Sequence, residues 1–564
     1  MSTRGPKAWF MQAQTAAQIG NRTLALDIIK QGIAEHPREA GLHHAAGKMV
    51  LDTGDAAAAA DWFGKAHALA PGNVNFAIDQ ATALATAGQH GDALAVLRTI
   101  EPKASDSALY WSTRAFAERA AGDLGGSAQS YDRALALEPQ RKRALQGRAT
   151  VALERGESNA VQWFDRALKL DQTDPHMWYS KAQALDVAGR SQDAREIMST
   201  LLAKIPQWPD ALKFVAQMRL AAGEKDFTSH YADAAKLAPE DPNIPVEHAA
   251  QLFGLDYFSE AADVITRARQ SFAGNPRLAL LDAIYSGAAG DIEKAERLYA
   301  ADPTDSEERW VHEGRFAIRT GRLDRAEQVL ERALQHNPRN IATWAYRGIV
   351  WRMTGDPRAE WLHEQTGLVQ LLELHDAESV LPSAIELLKT LHDSSPFPLG
   401  QSLRGGTQTR GQLFQRPEPE LQALAAAVLS TLEEYRAGLP PADSNHPLLR
   451  DRDAPWGFAN SWSVRLAGGG DYHTAHIHPQ GLLSSALYLN LPRHSGDDDE
   501  SAGWLEVGRP PPDLGLDLEP LQLVEPKQGH LALFPSTLFH GTRPFSEGRR
   551  MTVAFDVQPH MDQK

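Results

Sequence analysis

Large and small apolar residues recur with a fixed period along the first two-thirds of the chain. Gly20, Gly54, Gly88, Gly122 and Gly156 are spaced 34 residues apart, and the series continues at Gly189, Gly223, Gly290, Gly321 and Gly355. Between Gly223 and Gly290 a weaker turn signal near Tyr257 keeps the phase. Trp9, Trp111, Trp178, Trp310 and Trp344 each stand eleven residues before their glycine, and Ala25, Ala59, Ala194, Ala295 and Ala326 each stand five after it. Pro37, Pro71, Pro139, Pro206, Pro239 and Pro338 close many of the units. A large side chain on one helix facing alanine on the next lets the two pack closely. Glycine permits the tight turn between them, and proline stops the second helix. The pattern predicts antiparallel helix pairs that cannot bury their apolar faces singly and so stack on their neighbours.

The period and its markers are those of the tetratricopeptide repeat. About ten repeats are expected, with a last helical pair after Pro338 where Trp344, Trp351 and Trp361 are placed to cap the stack. The units around Gly88, Tyr257 and Gly290 depart from the pattern, and a kink is expected there. Residues 1–372 thus read as an α-solenoid whose concave surface is suited to a protein or extended peptide. The plainer alternative is a dimerisation or spacer arm.

Beyond His375 the period dissolves. Residues 373–455 read as linker and buttress: a Ser- and Pro-rich linker at 394–400, an amphipathic helix from Glu418 to Gly438 behind Pro417, and a loop from Pro440 to Pro447. Strand signals then take over, at Trp462–Leu466, Ser484–Leu491, Gly503–Val507, His530–Phe534 and Met551–Val557. Short strands between Gly- and Pro-rich turns predict an antiparallel double-stranded β-helix, or jelly roll, over 456–564. The fold class is therefore multidomain α plus β.

Composition narrows the function. The 564 residues are 42% hydrophobic and 23% charged, as in a globular protein. Cysteine is absent, which excludes disulfides, thiolate metal sites and thiol nucleophiles. A reducing, cytoplasmic setting is expected. No apolar run has the length of a signal peptide or a membrane span, so no membrane association is expected. A net charge of −15 argues against a nucleic-acid partner, since phosphate contacts need clustered Lys and Arg.

The candidate chemistry lies near the C-terminus. Side chains alternate along a strand, so His476 and His478 project to one face. His540 follows the strand-like run Gly529–Pro535, and ten residues later Arg550 opens a strand whose even positions, Thr552, Ala554 and Asp556, are small or polar. That parity predicts a pocket lining, with Met551, Val553 and Phe555 packed behind it. Two neighbouring histidines, a distant third and an arginine suit a mononuclear metal beside an anion. A buried hydrogen-bonded histidine couple is the non-metal alternative. His473 is expected in the preceding turn as a surface histidine or pocket-edge donor, and Arg549 as an exposed neighbour. His494, His530 and His560 are expected to be structural. Asn490 and Trp462 line the pocket or pack against it, with packing favoured for the tryptophan. Asp497 to Glu500 read as a solvated turn rather than a metal site.

The order H-x-H…H…R resembles the 2-oxoglutarate/Fe(II)-dependent oxygenases, and within them a bacterial group with H-x-H-P, L-S-x-x-x-Y and G-x-L-x-L-F-P-S…H segments. Here these are His476-Ile477-His478-Pro479, Leu483 to Tyr488, and Gly529 through Ser536 to His540; Gly405 to Thr409 also matches a segment of that group. The resemblance covers the last third of the chain. It implies Fe(II) on His476, His478 and His540, and 2-oxoglutarate as cosubstrate, with Arg550 on its distal carboxylate and Thr552 and Tyr488 beside it. The implied reaction couples oxidative decarboxylation to succinate with oxidation of a second substrate. One departure stands out: His478 occupies the position usually held by Asp or Glu. Either the site has three histidines or His478 lies behind the metal, and the shared face of the two rings favours three. With the repeats, the expectation is a hydroxylase acting on a recruited protein or peptide. The alternatives are a repeat scaffold with a metal- or 2-oxoacid-sensing domain, or an enzyme with a small-molecule substrate.

Overall fold

The computed structural model describes residues 4–393, 403–409, 411–492 and 499–559. The linker expected at 394–400, together with His494, His560, Asp497 and Asp498, lies outside the described residues. The chain divides into two compact units, Met1–Ala184 and Leu185–Asp562.

In the first unit the helix pairs run from Pro6–Gln18 and Arg22–Glu35 to Lys142–Glu154 and Ala160–Leu170. The turn glycines from Gly20 to Gly156 all have positive φ, between 63° and 91°, a backbone region that penalises a side chain. The side chains of Asn21, Asp55 and Asp123 each accept a hydrogen bond from the backbone N–H three residues on, capping the second helix of the pair. Ala25, Ala59 and Ala93 have no exposed surface, because the first helix presses on them.

The second unit continues the repeats to the pair Ile341–Thr354 and Arg358–His363. Asp256, with φ of 66°, takes the left-handed position that glycine holds elsewhere, which accounts for the weak signal near Tyr257. The marked irregularity falls one unit earlier than expected. After Gly223 the second helix is shortened to His230–Leu237, preceded by a turn that buries Phe227. The pair closing the repeats carries the expected tryptophan cluster, with the rings of Trp344, Trp351 and Trp361 6.1–6.5 Å apart.

Among the described residues eleven strands follow in the same unit. They are β1 (Gln370–Glu373), β2 (Leu403–Arg404), β3 (Thr407–Gln408), β4 (Trp456–Ala467), β5 (Tyr472–His476), β6 (Leu483–Asn490), β7 (Leu505–Val507), β8 (Gln522–Val524), β9 (His530–Pro535), β10 (His540–Thr542) and β11 (Arg549–Pro559). They form an antiparallel roll of two sheets, ordered β1-β9-β6-β11-β4-β3 and β2-β5-β10-β7-β8. The boundary expected at residue 372 falls inside β1, which pairs with β9. The segment expected as linker and one buttressing helix supplies β2, β3 and two helices, Ala377–Asp393 and Pro419–Gly438.

Both sheets are covered from outside. Against the larger sheet the two helices bury Leu483, Leu487, Leu531, Leu533, Met551, Val553, Phe555 and Val557 in one apolar cluster. Against the smaller sheet lie the last repeats, where Ile318, Leu330, Tyr346 and Ile349 pack with Leu514 and Phe539. Polar contacts fix this second junction. Arg315 pairs with Asp513, Arg352 donates to the carbonyls of Gly508 and Glu519, and His363 Nε2 meets Thr537 Oγ1 at 3.1 Å. Among the described residues no helix is long and apolar enough to cross a membrane.

Candidate metal and cosubstrate centre

The pocket between the sheets has a volume of about 630 Å³. His540 on β10 stands directly across the ladder from His476 on β5. His478 lies just past the end of β5, so the expected single strand carrying both histidines is one strand and a turn. Pro479 lacks a ladder N–H, and the Gly481 N–H closes the turn onto the carbonyl of His478 at 3.2 Å. The rings still converge: their centroids lie 4.3 Å (His476–His540), 4.9 Å (His478–His540) and 5.0 Å (His476–His478) apart.

Tautomers follow from the acceptors behind each ring. His476 Nδ1 lies 2.9 Å from Thr474 O, His540 Nδ1 3.1 Å from Leu538 O, and His478 Nδ1 2.5 Å from Asp556 Oδ1. Carbonyl and carboxylate oxygens only accept, so each Nδ1 carries a hydrogen, which leaves the Nε2 atoms as the ring nitrogens available to a metal. Two of these, on His476 and His478, are 3.1 Å apart. Nitrogens each about 2.1 Å from one ion and at right angles would be separated by about 3.0 Å. One ligand atom from each of the three residues lies within 4.8 Å of the other two. The arrangement fits a mononuclear transition metal with a preference for imidazole. Burial, reinforced by the neighbouring His476 and His478, pulls the His540 pKa well below its ordinary value and keeps that ring neutral.

Arg550, Thr552, Ala554 and Asp556 line the pocket from β11, and Met551, Val553 and Phe555 pack in the outer cluster, so the expected parity is observed. Arg550 is 3% exposed, and its guanidinium lies 5.3 Å from the centre of the Tyr488 ring. Thr552 stands opposite Tyr488 on neighbouring strands. Arg550 Nε and Tyr488 Oη are both buried and, apart from the approach of these two side chains to each other, meet no hydrogen-bond partner among the described residues. Leaving such groups unmet costs about 1–3 kcal/mol each. Burial pushes the Tyr488 phenol up to about 12, so it holds its proton, while burial lowers the Arg550 pKa, a penalty on the cation that an anionic ligand would offset. A buried guanidinium and phenol in the same pocket region as three imidazoles fit a carboxylate ligand that also reaches a metal.

Other positions divide. His473 belongs to β5 rather than to a turn and lines the pocket. Trp462 also lines it, its ring 5.3 Å from that of His478. Asn490 is exposed and caps the Arg549 carbonyl, and Arg549 itself is exposed. The His530 ring Nδ1 lies 3.2 Å from the nearby Gln528 carbonyl, and His530 is not among the residues lining the pocket. Asp499 and Glu500 are exposed, and Asp499 accepts from Ser501. Gln408 and Thr409 reach the pocket because Gly405 and Gly406 have positive φ. A Cβ at Gly406 would stand 2.5 Å from the Arg465 carbonyl. Two residues escape sequence reasoning. Gln217, from the repeat helix Pro209–Ala221, lines the pocket with no local motif to mark it. The bond from His478 to Asp556 spans 78 residues; parity brings Asp556 to the pocket but does not identify its partner.

A family model described as "Putative 2OG-Fe(II) oxygenase" matches residues 460–556, and tetratricopeptide repeat models match 10–74, 50–115 and 112–175. No curated protein matches the chain. Similar solved structures include a tetratricopeptide repeat protein from Parabacteroides merdae, 15% identical, covering 44% of this chain and 98% of its own, with a TM-score of 0.34. A thermophilic TPR protein from Thermus thermophilus is 19% identical over 32% of this chain and 99% of its own, with a TM-score of 0.28. MamA from Desulfovibrio magneticus is 18% identical over 30% of this chain and 96% of its own, also at 0.28. Residues 460–556 are thus a domain of the 2OG-Fe(II) oxygenase family, in a chain whose N-terminal region is built of tetratricopeptide repeats.

Proposed function

We propose that the protein is a 2-oxoglutarate/Fe(II)-dependent dioxygenase that hydroxylates a protein or peptide brought to it by the repeats. The carrying observation is the convergence of three imidazole nitrogens in a pocket whose lining also holds the buried Arg550, with the buried Tyr488 against it. In this reading His476, His478 and His540 hold Fe(II) on one face. Arg550, Tyr488 and Thr552 hold the distal carboxylate of 2-oxoglutarate. Iron and 2-oxoglutarate, once held there, would supply the oxidising power, with succinate and carbon dioxide as the by-products. The protein's own contribution is orientation. Carbonyls and Asp556 fix the imidazoles, and the two outer layers hold the sheets that carry them. Trp462 walls the site on the side of His478.

A polypeptide substrate is supported by Gln217. A side chain from the repeat helix Pro209–Ala221 lines the same pocket as the histidines, so a residue of the repeats borders the space beside the candidate metal site. Carboxamides both donate and accept, which suits a peptide group. The test measures succinate formation by the full-length protein with Fe(II) and 2-oxoglutarate, with and without peptide pools. Peptide-stimulated succinate formation with a mass gain of one oxygen on the peptide is expected. Gln217→Ala should reduce that stimulation several-fold while leaving the unstimulated rate unchanged. Equal stimulation in the variant would remove Gln217 from substrate recognition, and no succinate under any condition would overturn the enzyme.

A further inference from the structure

The oxygenase pocket is short of one negative charge at the position where H-x-D sites carry it, because His478 stands there. Its lining contains only two charged side chains among the described residues, Arg550 and Asp556. Asp556 is 5% exposed and sits on β11 on the same face as Arg550. The ladder to β4 shifts register immediately after it, and such bulges re-aim side chains. Its Oδ1 lies 2.5 Å from His478 Nδ1. The turn carrying His478 is fitted to this contact: a Cβ at Gly481 would stand 2.9 Å from the Asp556 Cβ, so glycine is what lets the turn lie against the aspartate.

We propose that Asp556 is the displaced carboxylate of this site, acting through the His478 imidazole instead of on the metal. The inference rests on the iron and 2-oxoglutarate reading above. Among the described residues, a divalent ion, a dianionic cosubstrate, the Arg550 cation and the Asp556 anion sum to zero, as they would with an aspartate ligand and no Asp556. Without Asp556 the same set would carry a net positive charge beside the ion, and like charges oppose metal binding. A carboxylate accepting from Nδ1–H also makes Nε2 more basic and fixes the ring, as carboxylate–histidine–metal pairs do. Asp556 is thus a positioning residue: it reaches the metal only through His478.

The test is a Co(II) titration of the full-length apoprotein, read by visible ligand-field absorption, on wild type, Asp556→Asn, His478→Asp and the double variant. Asparagine can still accept from Nδ1–H but carries no charge, and thermal melts of the four apoproteins show whether each is folded. Asp556→Asn should weaken Co(II) binding 10- to 100-fold and shift the absorption bands. In the His478→Asp background, where no imidazole links residue 556 to the ion, the same change should alter affinity less than threefold. A less than threefold loss in the wild-type background would overturn the proposal, as would an equal loss in both backgrounds. Failure of the wild-type protein itself to bind Co(II) would instead refute the metal-centre reading on which the proposal stands.

Discussion

At the scale of single residues, parity and spacing made half of the site legible. Arg550 and Thr552 line the pocket because they are even positions on a strand whose odd positions are packed in an apolar cluster. What the sequence could not carry is which residues meet across the roll. The His478–Asp556 bond depends on the pairing of strands far apart in the chain, and a turn rather than a strand aims His478. The carboxylate-binding role assigned to Arg550 leads to a clean comparison. Arg550→Lys should raise the 2-oxoglutarate Kd at least tenfold with Fe(II) affinity within threefold of wild type, because a bidentate donor becomes a point charge. Arg549→Lys, on the exposed side, should change neither. Calorimetric titration of 2-oxoglutarate into the Fe(II)-loaded, oxygen-free protein reads both, and a reversed order would contradict the assignment.

At the scale of elements, the repeat period was readable because each unit repeats the same steric demand, and the left-handed glycines confirm it at every regular turn. The short strands β2, β3, β8 and β10 were not, since two or three residues carry no period. Nor was the outer packing of the roll, although it bears on the site. Ile477 and Phe539, neighbours of His476 and His540, pack with Ala317, Ile318 and Tyr346 of the last repeats. The ring of Phe539 lies 5.7 Å from that of Tyr346. Phe539→Ala should cost about 3–5 kcal/mol of stability in the second unit, measured by denaturant unfolding. It should also weaken metal binding, because β10 loses its outer anchor. Unchanged metal affinity would show that β10 is held by its ladder alone.

At the scale of the whole molecule, the repeats and the roll of the second unit share apolar surface, so residues 456–564 are not expected to be a free-standing domain. Expressed alone they would expose the faces now under the two buttressing helices and the last repeats, and should aggregate. A fragment starting at residue 185 should be monodisperse by size-exclusion chromatography. The same junction predicts a pH dependence. Burial lowers the His363 pKa to about 3, against about 6.5 in an unfolded chain. Between those values the unfolded chain binds a proton that the native protein does not, so stability present above pH 6.5 is lost as pH falls. His363→Gln should flatten that loss by about 1.4 kcal/mol per pH unit, read from urea unfolding between pH 6.5 and 4. The most direct test of the central claim is an oxygen-free titration of the intact protein with Fe(II) and 2-oxoglutarate, followed by the visible charge-transfer band of a chelated 2-oxoacid. One iron per chain and a band lost in His540→Ala, with far-ultraviolet helicity unchanged, are predicted. A wild-type protein without the band, or a His540→Ala variant that keeps it, would contradict the account.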